Sequence, residues 1–173
     1  RTGGIEKLVK MGQEFNFSVS AVHPYRIDGE IVSSTRVRNA IAAGEVGQAA
    51  KLLGYSVSLA GRVVHGDGRG KALGYPTANI EPLTPRKIVP GTGVYLVSVL
   101  HKDKHWYGMM NLGVRPTVQN KGTTSIEVHV FGMTGDVYDE HVVATFLKKL
   151  RDEQKFASLE ELTHQLHRDK EAS

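Results

Sequence analysis

The sequence predicts a mainly β protein: a small barrel or sandwich closed by a C-terminal helix and preceded by a small α/β segment. Three observations lead there. Five strand-like runs follow Gly54, glycine and proline punctuate them, and the clear helical patterns lie before Gly54 or after Ser158.

At the front, Ile5, Leu8 and Val9 share a helical face and Gly12 is the expected stop, after which residues 15–22 alternate as a strand. Ser33 or Ser34 caps a helix that carries Val37 and Ile41 and ends at Gly44, and a second short helix runs over 46–53 and stops at Gly54. Helix, strand, helix, helix is the tail of an α/β unit. The change of pattern puts a domain boundary there, giving 1–54 and 55–173.

The strand-like runs are 57–64, 93–100, 106–112, 125–131 and 142–146, and five or six strands with such turns form a barrel or a sandwich. Ser158 and Glu161 make a capping box, from which Leu159, Leu162 and Leu166 continue as one apolar stripe able to lie against the sheet.

Composition narrows the classes. With 173 residues, 40% apolar and 23% charged, the chain has the mixture of a globular protein with one ordinary core and a small extra lobe. It contains no cysteine and no long apolar run, and its first residues lack a signal-peptide pattern, so a cytoplasmic location is expected and no membrane partner. The start at Arg1, directly in a helical pattern, reads as a fragment. A net charge of +4 suits nucleic acid or phosphorylated small molecules equally well, because the basic residues are scattered.

Chemistry concentrates between Gly61 and Ile80, where twenty residues hold five glycines and three cations. Gly66, Gly68 and Gly70 let backbone N–H groups converge on an anion, Arg62, Arg69 and Lys71 supply charge, and Gly74 closes the loop. Thr77 and Asn79 then offer a hydroxyl and an amide oxygen, hard ligands of the kind Mg²⁺ takes. The spelling excludes two common loops. Ala72 follows Gly70-Lys71 where a P-loop needs Ser or Thr, and Lys71 stands where a dinucleotide fingerprint needs its third glycine. On spacing alone, a phosphate cradle and a Gly-rich β-turn with solvated charges stay equally open.

Four blocks in order make the difference: Gly61 to Ile80 with its Pro76-Thr-Ala-Asn79, Asn111-Leu-Gly-Val-Arg-Pro-Thr117, Ser125-Ile-Glu-Val-His129, and Leu150-Arg-Asp-Glu-Gln-Lys-Phe156. Together they span most of 57–169 and resemble the riboflavin kinase family. Val32-Ser-Ser-Thr-Arg-Val-Arg38 resembles a different block, from the end of the FMN adenylyltransferase module that precedes the kinase in bacterial bifunctional enzymes.

The resemblance implies a six-stranded riboflavin-kinase-like β-barrel preceded by the α/β remnant of a nucleotidyltransferase domain whose N-terminal part is missing from this chain. It also implies transfer of the γ-phosphoryl group of ATP to riboflavin, giving FMN, with small-molecule partners and no nucleic acid. Gly66, Gly68, Arg69, Gly70, Lys71 and Gly74 would cradle phosphates, and Thr77 and Asn79 would hold Mg²⁺. Arg115, Arg151, Glu153, Gln154 and Phe156 would bind the flavin.

The base implied is Glu127. Strand alternation puts Ile126, Val128 and Val130 on one face and Ser125, Glu127 and His129 on the other, where a Glu is ordinarily plain surface. His129 is read as structural or solvent-facing, and His164 and His167 as surface residues. Ser33, Ser34, Thr35 and Arg38 match the ATP-contacting block of the adenylyltransferase. That family also uses a His-x-Gly-His block, which none of the eight histidines here forms, so adenylyl transfer is not expected of this chain. Two other readings remain: a small barrel that binds nucleic acid, and a catalytically idle flavin-binding regulator.

Overall fold

The computed structural model describes residues 3–66, 74–115 and 123–172. Contacts divide the chain into two compact units, Arg1–Ser33 and Ser34–Ser173. In the first, helix α1 (Gly3–Phe15) runs past Gly12 and ends at Asn16, whose φ of 56° is left-handed. The Gly12 carbonyl instead accepts the Phe17 amide at 2.9 Å as the chain folds back. The strand expected over 15–22 is absent among the described residues. Phe17 and Val22 are exposed and none of the described residues pairs with them, and an unpaired alternating run has no reason to stay extended. In its place stands a small hairpin of β1 (Arg26–Ile27) and β2 (Glu30–Ile31), turned at Asp28-Gly29.

The second unit opens with α2 (Ser34–Ala42) and α3 (Val46–Leu53). Gly44 (φ 76°) turns the chain between them, and Gly54 (φ 80°) caps α3, its N–H bonded to the Ala50 carbonyl. Ile41, Val46, Ala49 and Leu52 are buried. These helices therefore lie in the same compact unit as the sheet, while the change of sequence pattern comes later, at Gly54.

Among the described residues, six strands follow: β3 (Ser58–Val64), β4 (Ala78–Pro82), β5 (Gly93–His101), β6 (Lys104–Arg115), β7 (Thr123–Val130) and β8 (His141–Arg151). They close into an antiparallel barrel in the order β3-β4-β7-β6-β5-β8. The sequence pattern missed β4, whose five residues include Asn79, Glu81 and Pro82, all poor strand formers. Its inward Ile80 sits opposite Val63, and Ala78 opposite Val128. The interior is filled by Leu59, Val63, Tyr95, Val97, Met110, Leu112, Val128 and Phe146, each fully or almost fully buried.

Helix α4 (Leu159–Glu171) closes the chain. Ser158 Oγ accepts the Glu161 amide at 3.2 Å, and Glu161 reaches back to the Ala157 amide at 3.0 Å, a capping box displaced by one residue. Leu159 departs from the expected stripe, being 68% exposed on the first turn. Leu162, Thr163, Gln165 and Leu166 are half-buried and Asp169 buried, so the packed part of the helix begins after its first turn.

Tyr95 spans the core of the barrel, and its hydroxyl donates to the Gly91 carbonyl at 2.5 Å. Burial, helped by the nearby Asp152 charge, pushes its phenol up from 10 to about 12. The unfolded phenol ionises near 10, so the stability Tyr95 lends is complete below pH 10 and is lost as pH climbs to about 12. Urea midpoints measured across that window should fall steeply in the wild type and less so in Tyr95→Phe. At pH 7 the variant should lose about 1–3 kcal/mol, the cost of leaving the Gly91 carbonyl unpaired.

Candidate functional site

The site is built on the outer face of β7. Ile126 and Val128 point into the core, so Ser125, Glu127 and His129 point out. Glu127 is paired in register with Asn79 on β4 and with Asn111 on β6. Paired residues share a face, so a carboxylate stands in one row between two amides. On the same face, Gly113 opposes Ser125. A Cβ at Gly113 would lie 2.7 Å from Glu153 Oε1 and 3.4 Å from Asn111 Nδ2, so Glu153 and Asn111 converge over that spot.

His129 has a defined structural task. Its Nδ1 donates to the Pro76 carbonyl at 2.8 Å, and its ring packs edge-on against Tyr75 and Phe131, 5.2 and 5.7 Å between centroids. The imidazole thus fastens the residue before Thr77 to β7. Tyr75 meets His167 Nδ1 of α4 at 3.4 Å, while His164 is exposed.

Beside Thr77 a cavity of about 600 Å³ opens at the end of the barrel. Val63, Ala78, Val128 and Val130 line its apolar floor, and the turn 133–138 forms a wall. Tyr138 in that wall stacks on His65, 3.7 Å between centroids. The wall is tied down behind Tyr138. The Asp139 amide bonds to Val63 O and the Val63 amide to Glu140 O, both at 2.9 Å. Glu140 also accepts from Lys102 at 2.5 Å and His101 at 2.7 Å, and those bonds hold its carboxyl below the usual range. Arg62, expected to face the anion, bridges Glu81 and Asp139 at 3.0 and 3.1 Å.

The remaining predicted residues divide clearly. Gly66 passes directly over Asn79, where a Cβ would fall within the Asn79 amide, and Gly74 re-enters with φ 78°. Gly68, Arg69, Gly70 and Lys71 lie outside the described residues. Arg115 ends β6, with only its backbone described. Gln154 is exposed, and Phe156 lies under the Arg151 guanidinium, 5.7 Å from its centroid. Arg151 itself is committed to Asp169, with Nε and Nη2 bonding the carboxylate at 2.8–2.9 Å. Ser33 ends the first compact unit, while Ser34, Thr35 and Arg38 lie exposed on α2 of the second.

Sequence reasoning passed over Asn111 as a site residue, although alternation within Asn111-Leu-Gly113 puts it outward beside the glycine. It also passed over Asp169 and Lys149, whose partners are distant in sequence and leave no local signal.

Donor chemistry fits a small hard cation. Thr77 and Asn79 bring neutral oxygens and Glu127 a carboxylate, and the missing side chain of Gly66 lets the Asn79 amide lie tight against the backbone there. No group of three or more His, Cys, Asp or Glu among the described residues could hold a metal, so an ion here would complete its shell from phosphate oxygens and water.

The geometry is that of a closed six-stranded barrel with an outward carboxylate set between two amides, beside a cavity of about 600 Å³. The family profile Flavokinase, described as riboflavin kinase, matches residues 53–173. A bifunctional riboflavin kinase/FMN adenylyltransferase of Pseudomonas fluorescens is 45% identical over 169 residues, covering 98% of this chain and 54% of its own length. That of Escherichia coli K12 is 41% identical over 170 residues, with 98% and 53% covered. A crystal structure described as a macrolide-efflux protein from Streptococcus pneumoniae superposes with a TM-score of 0.84 at 37% identity, over 93% of this chain and 52% of that one. The chain belongs to the riboflavin kinase family, and it spans about half the length of the curated relatives it matches.

The Arg151–Asp169 pair, 15% and 4% exposed, joins the end of β8 to α4. Asp169→Ala should strand a buried guanidinium and cost about 3 kcal/mol or more in urea unfolding, far beyond what a surface pair contributes.

Proposed function

We propose that residues 55–173 transfer the γ-phosphoryl group of ATP to the ribityl 5′-hydroxyl of riboflavin, giving FMN and ADP. The observation that carries this is the row Asn79, Glu127, Asn111. It sets one carboxylate between the cavity end of the barrel and the face where Glu153 overhangs Gly113. The nucleotide's base and ribose would occupy the cavity of about 600 Å³, and its phosphates would run past Thr77 under the loop 66–74. The flavin would lie along segment 152–156, its ribityl chain directed to Glu127.

In this reading Glu127 accepts the proton of the 5′-hydroxyl as that oxygen bonds to the γ-phosphorus and the bond to the β-phosphate oxygen breaks. Thr77 and Asn79 would hold Mg²⁺ with the phosphates. The bound ion would supply neutralisation of the charge on the phosphate oxygens. Positioning carries most of such a reaction, with the base contributing on the order of 10²–10⁴. Asn111 and Asn79 flank Glu127 in the same row, and the His129 bond to Pro76 fastens the residue before Thr77 to β7.

The relatives are also named for FMN adenylyl transfer. On our reading residues 1–54 correspond to the C-terminal part of that module, and Ser33–Arg38 to its nucleotide-contacting block. Without a His-x-Gly-His block in residues 1–173, this chain should make FMN and not FAD.

Glu127→Gln should lower kcat by about 10²-fold or more while the KM for ATP stays within a few-fold, because the lost interaction matures in the transition state. Near-wild-type turnover in a folded variant would remove Glu127 from the mechanism. Thr77→Ala and Asn79→Ala should each shift the Mg²⁺ activation curve to higher concentration. Two unshifted curves would assign the tetrapeptide a purely structural role.

A further inference from the structure

The strand before segment 152–156 is irregular in a specific way. β8 pairs with β5 in register from Leu100↔Val143 to Val97↔Phe146, shifts by one residue so that Leu96 faces Lys148 and Tyr95 faces Lys149, then shifts again so that Val94 faces Arg151. Each shift is a bulge, and a bulge re-aims every side chain beyond it. Lys149 therefore shares the inward face of Tyr95, and Arg151, two residues on, points outward to Asp169. In a regular strand the two cations would share one face.

The re-aimed Lys149 meets the α2–α3 turn. A Cβ at Gly44 would fall on the Tyr95 hydroxyl and lie 3.0 Å from Lys149 Nζ, and the left-handed φ of 76° already disfavours a side chain there. The turn is fastened to the approach to β5 as well, the Gly91 amide bonding to Ile41 O at 3.1 Å. From this seat Lys149, its side chain 26% exposed, bonds Asp152 Oδ1 through Nζ at 2.6 Å and holds that carboxyl below its ordinary range. Asp152 is the first residue after β8, its carbonyl accepts Arg151 Nη1 at 3.1 Å, and Glu153 follows it.

We infer that the α2–α3 turn is a brace for the acceptor side of the kinase site, acting through Lys149 as a positioning residue that sets the course of segment 152–156. The inference rests on the proposed role of that segment in holding the flavin. The chain leaves β8 gripped from two sides: Lys149, backed by the helix turn, holds Asp152, and Arg151, backed by α4, carries Phe156. Thr77 and Asn79 stand on the β4 side of Glu127, whereas segment 152–156 approaches from the β6 side, where Glu153 overhangs Gly113. Loosening the brace should thus weaken acceptor binding and spare the nucleotide side. Helices that the sequence assigns to the preceding module would then set the kinase's affinity for its acceptor.

The test uses the full chain. Riboflavin binding is read by quenching of flavin fluorescence, ATP by its KM, and segment order by amide hydrogen exchange at 152–156. Lys149→Met should weaken riboflavin binding about two- to five-fold, the scale of a partly exposed ion pair, and speed exchange at 152–156 with the ATP KM unchanged. Lys149→Arg should restore both, and Gly44→Ala should move both in the direction of Lys149→Met. Unchanged riboflavin affinity in a folded Lys149→Met would overturn the inference, whether or not exchange changes, and so would parallel losses for both substrates. A wild-type chain that binds no riboflavin would instead defeat the proposed function, and exchange at 152–156 in Lys149→Met would still decide whether the brace exists.

Discussion

The geometry of the site depends on β8 being out of register with a regular strand. The extra residues it inserts against β5 put Lys149 and Arg151, two positions apart, on opposite faces of one sheet. Each cation then finds a carboxylate on a different side of the barrel, Asp152 next to the α2–α3 turn and Asp169 on α4. Remove the bulges and both cations would crowd one face, with the helix pair and the closing helix losing their anchors together. The exit of the chain from β8 is fixed by these opposed attachments more than by the loop's own sequence.

The barrel supplies what such attachments need. Six strands closed on themselves leave no edge for the sheet to slide along, so the rows of paired residues across β4, β7 and β6 are held in register. Asn79, Glu127 and Asn111 line up because their strands pair there, and the buried Ile126, Val128, Met110 and Leu112 behind them fix which way each side chain points. A one-residue slip would turn Glu127 into the core, at the cost of burying a carboxylate.

Local signals were legible wherever the physics is local. Gly54 ends α3 because a left-handed residue must, Ser158 and Glu161 cap α4 because unpaired amides need acceptors, and alternation puts Glu127 outward because strands have a period of two. Signals that depend on a distant partner were not legible. β4 is too short and polar to announce itself and exists through its pairing with β3 and β7, whereas residues 15–22 look like a strand and pair with none among the described residues. Bulges leave no mark in composition, and so Lys149 and Asp169 were invisible. Four motif blocks pointed to the family and to Arg151, but nothing in them announced that its guanidinium bonds Asp169 on α4.

The bond from His129 Nδ1 to the Pro76 carbonyl has a mechanical consequence. A carbonyl only accepts, so Nδ1 carries the hydrogen of this bond. Because His129 and Glu127 stand two residues apart on β7, the loop bearing Thr77 and the carboxylate are mounted on a single rail. Thermal breathing of the barrel carries both along together, and the gap between them is set by one strand's repeat distance, the least compliant ruler a protein has.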